Sequence, residues 1–351
     1  MLMRMHWFRW VKQLLPYGAV VFAQRECDRR YLEKNPPPPP PSPPPVYVHE
    51  DPELYNADGQ RLSVFYLKDD IFRHMSHSLS YGRTPSWVFW DRGDPYLKRH
   101  FYTHKNILKQ EGRPEQKFAM MIESEAIVPE DYRMWDENPL LYREFDGVFT
   151  NSQRLLESVP NAHFIPASTV WVGTDPGTGT MSENAWRQKN KNVSMLSSNK
   201  CLCPMHEVRY GIAQALLADN MADLYGTING GAYCDLEMPL TEYRYSVIVE
   251  NAIEPYLFTE KILNCFATMT VPVYTGATEI GRFFNPDGII EVPLEKADHI
   301  PEIARACTPA DYRKRMPAII DNYNRVLEYV SIEEYLLRHY ETLLQNEEYG
   351  K

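Results

Sequence analysis

Short apolar runs alternate with helix-like segments along most of the chain. In the first part, the run Lys117–Ile122 is followed at once by the polar residues Glu123-Ser124-Glu125. The other strand-like runs of this part are residues 64–67, 86–90, 146–150 and 163–165. Apolar runs of this length, separated by helical segments, predict a parallel α/β sheet.

The same alternation restarts after a stretch rich in Gly, Pro and Thr at residues 173–182, which is typical of a crossing between domains. Residues 192–196 and 223–226 are predicted to be strands, and residues 207–218 between them a helix. A longer strand–loop–helix–strand unit follows at residues 245–276. From Ile300 onward the pattern is mostly helical, and one helical face carries Tyr323, Val326, Leu327 and Val330. We therefore predict two Rossmann-like α/β domains that face each other across a cleft.

These patterns divide the chain into six segments. They are a leader (1–35), a polyproline spacer (36–45), a first α/β domain (46–172), a linker (173–190), a second α/β domain (191–300) and C-terminal helices (301–351). The spacer reads PPPPPPSPPP, which favours a stiff polyproline II conformation without internal hydrogen bonds. A ligand for an SH3-type domain is the alternative interpretation of that segment.

The leader mixes basic residues with Trp7, Phe8 and Trp10, and a largely apolar stretch follows. An interfacial amphipathic helix, which would bring peripheral membrane contact, is one interpretation. A short helix packed on the protein, or a disordered leader, is the other. A cleaved signal peptide is disfavoured because Arg25, Arg29 and Arg30 follow too closely.

Length, charge and cysteine usage limit the class of protein. A chain of 351 residues is long for one core, and its net charge of −10 disfavours a general nucleic-acid binder. Its six cysteines form no C-x-x-C pair, so reduced thiols are expected rather than a disulfide framework or a zinc site. The sequence contains no apolar run long enough to span a membrane.

The unit Tyr245–Gly276 gathers polar residues where its first strand ends. The run Val247-Ile248-Val249 leads to Glu250-Asn251, and Thr259-Glu260-Lys261 opens the following helix. Ligands of open parallel sheets bind at such carboxyl ends, and a helix N-terminus with a lysine suits a diphosphate. An ordinary helix start, with Thr259 as the N-cap, is the alternative. Glu250 could equally be satisfied by nearby backbone N–H groups.

Glu123 ends an apolar strand of the first domain in the same manner. Across a closed cleft it would face the site built by Glu250, Asn251, Glu260 and Lys261. A carboxylate opposite a diphosphate pocket is what inverting sugar transfer requires, since a base must deprotonate the acceptor hydroxyl. Glu125 is the competing candidate, and a solvated strand-end carboxylate is the alternative for Glu123.

The sequence contains neither a G-x-G-x-x-G motif nor a P-loop motif, so dinucleotide enzymes and P-loop ATPases are disfavoured.

Residues 249–277, VENAIEPYLFTEKILNCFATMTVPVYTGA, resemble the signature of the α-1,3-fucosyltransferases, glycosyltransferase family ten. The resemblance extends to FFNPDGIIEV (283–292), SSNKCLCPMHEVR (197–209) and Leu224-Tyr225-Gly226. In the first half, IESEA around Glu123 and FDGVFTNS (145–152) resemble corresponding family segments. The family fold is of the GT-B type, with the acceptor domain first and the GDP-fucose domain second.

The resemblance implies a role for each candidate residue. Glu123 would be the general base. Asn251, Glu260 and Lys261 would lie at the GDP-fucose donor, and Lys261 with Arg209 would meet the diphosphate. Glu250 would be structural or would touch the donor.

Several positions depart from the family pattern. Val249, Ala252 and Met269 replace the usual Phe, Ser and Gly, and Tyr256-Leu257 replaces the usual Asp-Tyr pair. The loss of a tyrosine at position 257 removes an aromatic hydroxyl from the donor loop, so the transferred sugar could differ from fucose. Residues 230–241 also lack the basic residue that some bacterial members use to bind phosphate.

The expected function is inverting transfer of fucose from GDP-fucose to a glycan hydroxyl, with no obligate metal or other cofactor. A transferase of the same fold with another nucleotide sugar, and a non-catalytic glycan- or nucleotide-binding protein, are the alternatives. Without a membrane span or a cysteine framework, a cytoplasmic enzyme of bacterial type is expected, at the inner face of a membrane if the leader binds lipid. The sequence leaves the acceptor glycan, the linkage and the oligomeric state open.

Overall fold

The computed structural model describes residues 49–72, 77–173 and 181–344. The expectations for the leader, for the polyproline spacer and for most of the Gly-, Pro- and Thr-rich stretch fall outside these residues. The described residues belong to one compact unit. Eleven strands in them form two sheets, and all pairings within the sheets are parallel.

The first sheet has the strand order β2-β1-β3-β4-β5-β6. Its strands are β1 (Ser63–Lys68), β2 (Val88–Asp91), β3 (Arg99–Thr103), β4 (Gln116–Met121), β5 (Gly147–Thr150) and β6 (Ala162–Phe164). Helices α1 (Pro129–Glu137) and α2 (Gln153–Ser158) follow β4 and β5. A 3₁₀ helix, His104–Leu108, follows β3.

Strand β3 is missing from the sequence-based prediction, although it lies in the middle of the first sheet. Its segment starts with Arg99 and His100, which interrupt the apolar pattern. In the fold His100 is completely buried and its Nδ1 lies 2.7 Å from the hydroxyl oxygen of Tyr102. The Arg99 guanidinium lies 4.4 Å from the centre of the Phe65 ring. Tertiary partners thus satisfy residues that read as polar.

The second sheet has the order β11-β10-β9-β7-β8. Its strands are β7 (Lys191–Leu196), β8 (Asp223–Tyr225), β9 (Tyr243–Val249), β10 (Val271–Thr275) and β11 (Ile290–Glu291). Helices α3 (Pro204–Ala218) and α4 (Glu260–Ala267) connect them. The strand order reverses between β7 and β9, and ligands of open α/β sheets bind at such a switch point.

Four further helices complete the fold: α5 (Ile300–Ala306), α6 (Pro309–Lys314), α7 (Met316–Val326) and α8 (Ile332–Leu344). The predicted apolar face of this region breaks at Leu327, which is 42% exposed because α7 ends at Val326. Helix α8 is kinked at Tyr340 and returns to the first sheet, where the Tyr340 hydroxyl donates to the carbonyl of Phe164. One buried cluster contains Phe118, Phe266 and Leu336, so both sheets and α8 share a core.

Candidate functional site

Glu250 follows β9 and is completely buried. Its carboxylate accepts hydrogen bonds from the backbone N–H of Thr259 (3.0 Å), the Thr259 hydroxyl (2.8 Å) and the Lys261 ammonium (3.3 Å). A buried carboxylate requires such partners. Glu250 therefore supports the start of α4 from beneath and exposes no surface to a ligand. Its burial favours the structural one of the two roles that the resemblance implies for Glu250, and that role stays a prediction.

Lys261 lies in the first turn of α4, and its side chain is 24% exposed. The ammonium donates to Glu250 Oε2 (3.3 Å), Thr259 Oγ1 (2.9 Å) and Glu260 Oε1 (3.2 Å). Burial alone would lower the pKa of Lys261, but Glu250 and Glu260 raise it above its usual value. The lysine is therefore a fixed cation at the edge of the sheet.

At the start of α4, two backbone N–H groups already have acceptors. Thr259 is the N-cap, its own N–H is taken by Glu250, and its hydroxyl accepts from the N–H of Lys261 (3.4 Å). An anion that binds here would meet the Lys261 ammonium and the helix dipole.

Glu260 stands beside Lys261 with a side chain that is 19% exposed. Burial would raise the pKa of Glu260, but the Lys261 ammonium lowers it below its usual value, and Ser168 donates a hydrogen bond that acts in the same direction. The Glu260 carboxylate is therefore ionised, and residue 168 reaches it from the segment that follows the first sheet.

A pocket opens at the carboxyl ends of β7 and β9, where the strand order reverses. Glu260 and Lys261 supply its charged side chains, and Trp171 closes it from the segment after the first sheet. Its lining consists of Trp171, Leu196, Leu236, Pro239, Leu240, Ser246, Ile248, Val249, Glu260, Lys261 and Asn264. A mostly apolar pocket with a few charged groups at one side is typical of a small-molecule site.

Arg209 and Asn251 form a pair behind this edge of the sheet. The guanidinium of Arg209, which is 7% exposed, donates to the carbonyl of Val249 (2.6 Å) and to Asn251 Oδ1 (2.8 Å). Burial lowers the pKa of Arg209. The pair thus joins α3 to the end of β9 and orients the Asn251 amide. The diphosphate contact predicted for Arg209 stays a prediction.

Glu123 follows β4 in the first sheet. Its Oε1 accepts from the backbone N–H of Ser124 (2.9 Å), and its own N–H donates to His104 Nε2 (3.1 Å). Glu125, the competing carboxylate, is 45% exposed and lies 3.4 Å from the guanidinium of Arg154.

Glu254 connects the two strand-end loops, and sequence analysis missed it. Burial raises the pKa of Glu254, and the nearby Glu125 carboxylate raises it further, while Arg154 opposes both. Glu254 also acts electrostatically on Tyr132 of α1. The loop after β9 therefore approaches the loop after β4. A sequence signal for Glu254 was absent, because its neighbours lie a hundred or more residues away in the chain.

Leu257, one of the departures noted above, lies inside the core and is 1% exposed. The neighbouring Tyr256 carries the aromatic hydroxyl of this loop, which accepts from Arg282 at 2.7 Å. Within residues 49–72, 77–173 and 181–344, no cluster of three His, Cys, Asp or Glu residues could hold a metal ion. In the same residues, no helix is long and apolar enough to cross a membrane.

Glycosyltransferases are among the solved structures that superpose on this fold. An α1,3-fucosyltransferase superposes with a TM-score of 0.50 at 14% identity, over 86% of this chain and 95% of that one. Anabaena Alr3699/HepE, in complex with UDP and glucose, superposes with a TM-score of 0.50 at 11% identity, over 81% and 100%. An α1,3-fucosyltransferase with GDP-fucose gives 0.48 at 15% identity, over 82% and 91%. The fold is of the GT-B type.

The second sheet lies in a region that matches a protein-family model. Residues 186–302 match the model of glycosyltransferase family 10 (fucosyltransferase), C-terminal domain. This region contains Arg209, Glu250, Asn251, Glu260 and Lys261. No curated protein matches the sequence. The chain is a glycosyltransferase, and its residues 186–302 are similar to the C-terminal domain of the family 10 fucosyltransferases.

Proposed function

We propose that this protein transfers fucose from GDP-fucose to a hydroxyl group of a glycan, with inversion at the anomeric carbon. The observation that carries the proposal is the position of the Lys261 cluster, which consists of Lys261 with Glu250, Thr259 and Glu260. It lies within the family 10 region, at the carboxyl edge of the second sheet, and beside the pocket. The α-1,3 linkage rests on the resemblance of residues 249–277 to the family signature.

In this mechanism Glu123 accepts the proton of the acceptor hydroxyl as its oxygen bonds to the anomeric carbon. The bond from that carbon to the diphosphate breaks, and GDP leaves with the bonding electrons. Lys261 and the start of α4 stabilise the charge that develops on the diphosphate, and we assign Arg209 a supporting electrostatic part. Glu250 holds Lys261 in place from beneath, and Asn251 and Glu260 contact the donor.

The geometry favours Glu123 over Glu125 as the base. One oxygen of Glu123 is oriented by the N–H of Ser124, which leaves the other for an acceptor hydroxyl. The Glu125 carboxylate is engaged in an ion pair with Arg154.

We expect Glu123→Ala to lower transfer by ~10² or more while GDP still binds, because a general base contributes on that scale. Glu125→Ala is the matched control, two residues away in the same loop, and should lose far less activity. Transfer rates and the GDP-induced shift in melting temperature check both variants. Unchanged transfer in Glu123→Ala would contradict the assignment. A wild-type protein that binds GDP but shows no transfer would favour the non-catalytic alternative.

Lys261→Met should instead weaken GDP binding, because it removes the fixed cation. Glu250 keeps two donors from Thr259 in this variant, so the fold should survive. GDP titration of the melting temperature measures the effect. An unchanged GDP affinity would remove Lys261 from the donor site.

A transferase of the same fold with another nucleotide sugar is the second candidate. Leu257 favours it, since that side chain lies in the core and the aromatic hydroxyl of the loop stands instead at Tyr256, where Arg282 binds it. A thermal-shift panel of GDP, UDP, GDP-fucose and GDP-mannose separates the two candidates. Stabilisation by UDP alone would rule out the GDP-fucose assignment.

A further inference from the structure

The dipeptide Ile122-Glu123 is bound by side chains of three other elements. Both of its N–H groups donate to His104 Nε2, from Ile122 at 3.3 Å and from Glu123 at 3.1 Å. The Ile122 carbonyl accepts from Asn151 (2.9 Å), and the Glu123 carbonyl accepts from the Tyr132 hydroxyl (2.9 Å). Strand β4 ends at Met121, so side chains take over where the sheet ladder stops.

His104 makes two of these four contacts from an unusual backbone conformation. It begins the 3₁₀ helix after β3, is 1% exposed, and has a positive φ of 50°. The left-handed conformation is unfavourable for residues other than glycine, and such strain is often found at functional sites. The strained backbone brings the imidazole of one strand end against the amides of the next.

The contacts also define the protonation of the ring. Because Nε2 accepts from two N–H groups, the proton of the neutral imidazole resides on Nδ1. This Nδ1 lies 3.4 Å from Asp131 Oδ2, and Asp131 is in the first turn of α1. A carboxylate beside the protonated nitrogen favours that tautomer, as in other oriented histidines.

We propose that His104 is a positioning residue for sugar transfer, which holds the Glu123 backbone so that its carboxylate points at the acceptor hydroxyl. The proposal rests on the role of Glu123 as the base. His104 touches no reacting atom. It acts by removing freedom from the base, since a misplacement of about 1 Å in a catalytic group can cost ~10² in rate.

The test uses two substitutions of the full chain. Asn tolerates the left-handed conformation but is too short to bring an acceptor to both amides, so His104→Asn removes the contacts without adding backbone strain. Gln can place an amide oxygen near the position of Nε2. We expect His104→Asn to lower kcat by about ten- to a hundredfold with KM for GDP-fucose unchanged, and His104→Gln to recover part of the loss.

His100→Asn is the matched control. His100 is also completely buried, and it lies near the other end of β3, away from Glu123. Its substitution should lower the melting temperature but leave kcat unchanged. A merely structural role of His104 predicts another result. His104→Asn would then lose stability and activity together, as His100→Asn would, and His104→Gln would restore neither property.

Hydrogen exchange of the amides of Ile122 and Glu123 gives a measurement that does not depend on activity. His104→Asn should raise their exchange rates, and His100→Asn should not. Unchanged exchange, or an unchanged kcat in His104→Asn, would overturn the proposal. If Glu123→Ala keeps full transfer while His104→Asn still raises exchange, the assignment of Glu123 as the base has failed, although the backbone contact is real.

Discussion

At the scale of single residues, the neighbourhood of Glu250 shows how little space surrounds the buried cluster. A Cβ atom on Gly276 would lie 2.6 Å from Glu250 Cγ and would overlap the hydroxyl group of Tyr274. That hydroxyl accepts from the N–H of Ala277 (2.9 Å). Gly276 is therefore required by packing, because its neighbours are a buried carboxylate and a buried ring.

We expect Gly276→Ala to displace Glu250 and Tyr274, and so to disturb Lys261. Overpacking of this kind costs about 1–3 kcal/mol. The GDP-induced rise in melting temperature should shrink, and the melting temperature of the free protein should fall.

Gly281→Ala is the control for this prediction, because a Cβ atom there would have no heavy atom within 4 Å. Equal behaviour of the two variants would mean that the cluster tolerates the extra methyl group, which contradicts the packing argument.

The residue scale also separates what local sequence indicates from what it misses. Glu250 is predicted as a site residue because it follows an apolar run, and Glu260 and Lys261 because they open the next helix at the same edge of the sheet. The partner sets were less predictable. Ser168 and Glu254 acquire their neighbours only through folding, and no local pattern marks them.

At the scale of elements, Lys189 joins three segments at the amino end of the second sheet. It is 7% exposed, and its ammonium donates to the Leu240 carbonyl (2.6 Å) and to Thr270 Oγ1 (2.8 Å). Burial lowers the pKa of Lys189 to about 7. The segments before β7, β9 and β10 thus meet at a lysine that resists protonation.

This lysine should make stability depend on pH. An unfolded lysine has a pKa of about 10.4, so between pH ~7 and ~10 the unfolded chain binds more protons, and stability rises with pH. Below pH 7 the folded lysine is protonated as well, and the full cost of burying the charge is present. Lys189→Met should therefore raise the melting temperature relative to wild type more at pH 7 than at pH 9.5.

Thermal unfolding at the two pH values checks this prediction, with the exposed Lys296→Met as the control. Loss of the two hydrogen bonds changes the melting temperature of Lys189→Met equally at both pH values. The change that depends on pH therefore reports the protonation of Lys189. A melting-temperature difference between Lys189→Met and wild type that is the same at pH 7 and pH 9.5 would contradict the lowered pKa of Lys189.

At the scale of the whole molecule, Glu333 ties the C-terminal helix α8 to the first sheet. The carboxylate is completely buried and accepts from the N–H of Leu79 (2.5 Å) and from the indole of Trp90 (2.9 Å). Hydroxyl groups of Ser78, Ser80 and Ser331 also donate to it. About 250 residues of chain, which include the whole second sheet, lie between Leu79 and Glu333.

We expect Glu333→Ala to destabilise the protein strongly, because several buried donors lose their acceptor at once. A buried donor that loses its acceptor costs about 1–3 kcal/mol. The melting temperature is the measurement, and the exposed Glu295→Ala is the control. A variant that melts with wild type would show that α8 docks without this contact.

The apolar and polar pattern by itself determined the two parallel α/β sheets and the residues at the ends of β4 and β9. These features are local, because strand periodicity and strand-end polarity are read over a few residues. Strand β3 escaped, since Arg99 and His100 find their partners only in the folded sheet.

Tertiary structure alone decided which charges meet. It placed Glu250 beneath Lys261, brought Glu254 beside Glu125, and set His104 against the amide of Glu123. Each of these contacts joins a strand end to a different loop or element, and its geometry depends on sheet order and side-chain packing. A sequence pattern shows which residues reach an edge, whereas only the packed chain fixes the distances between them.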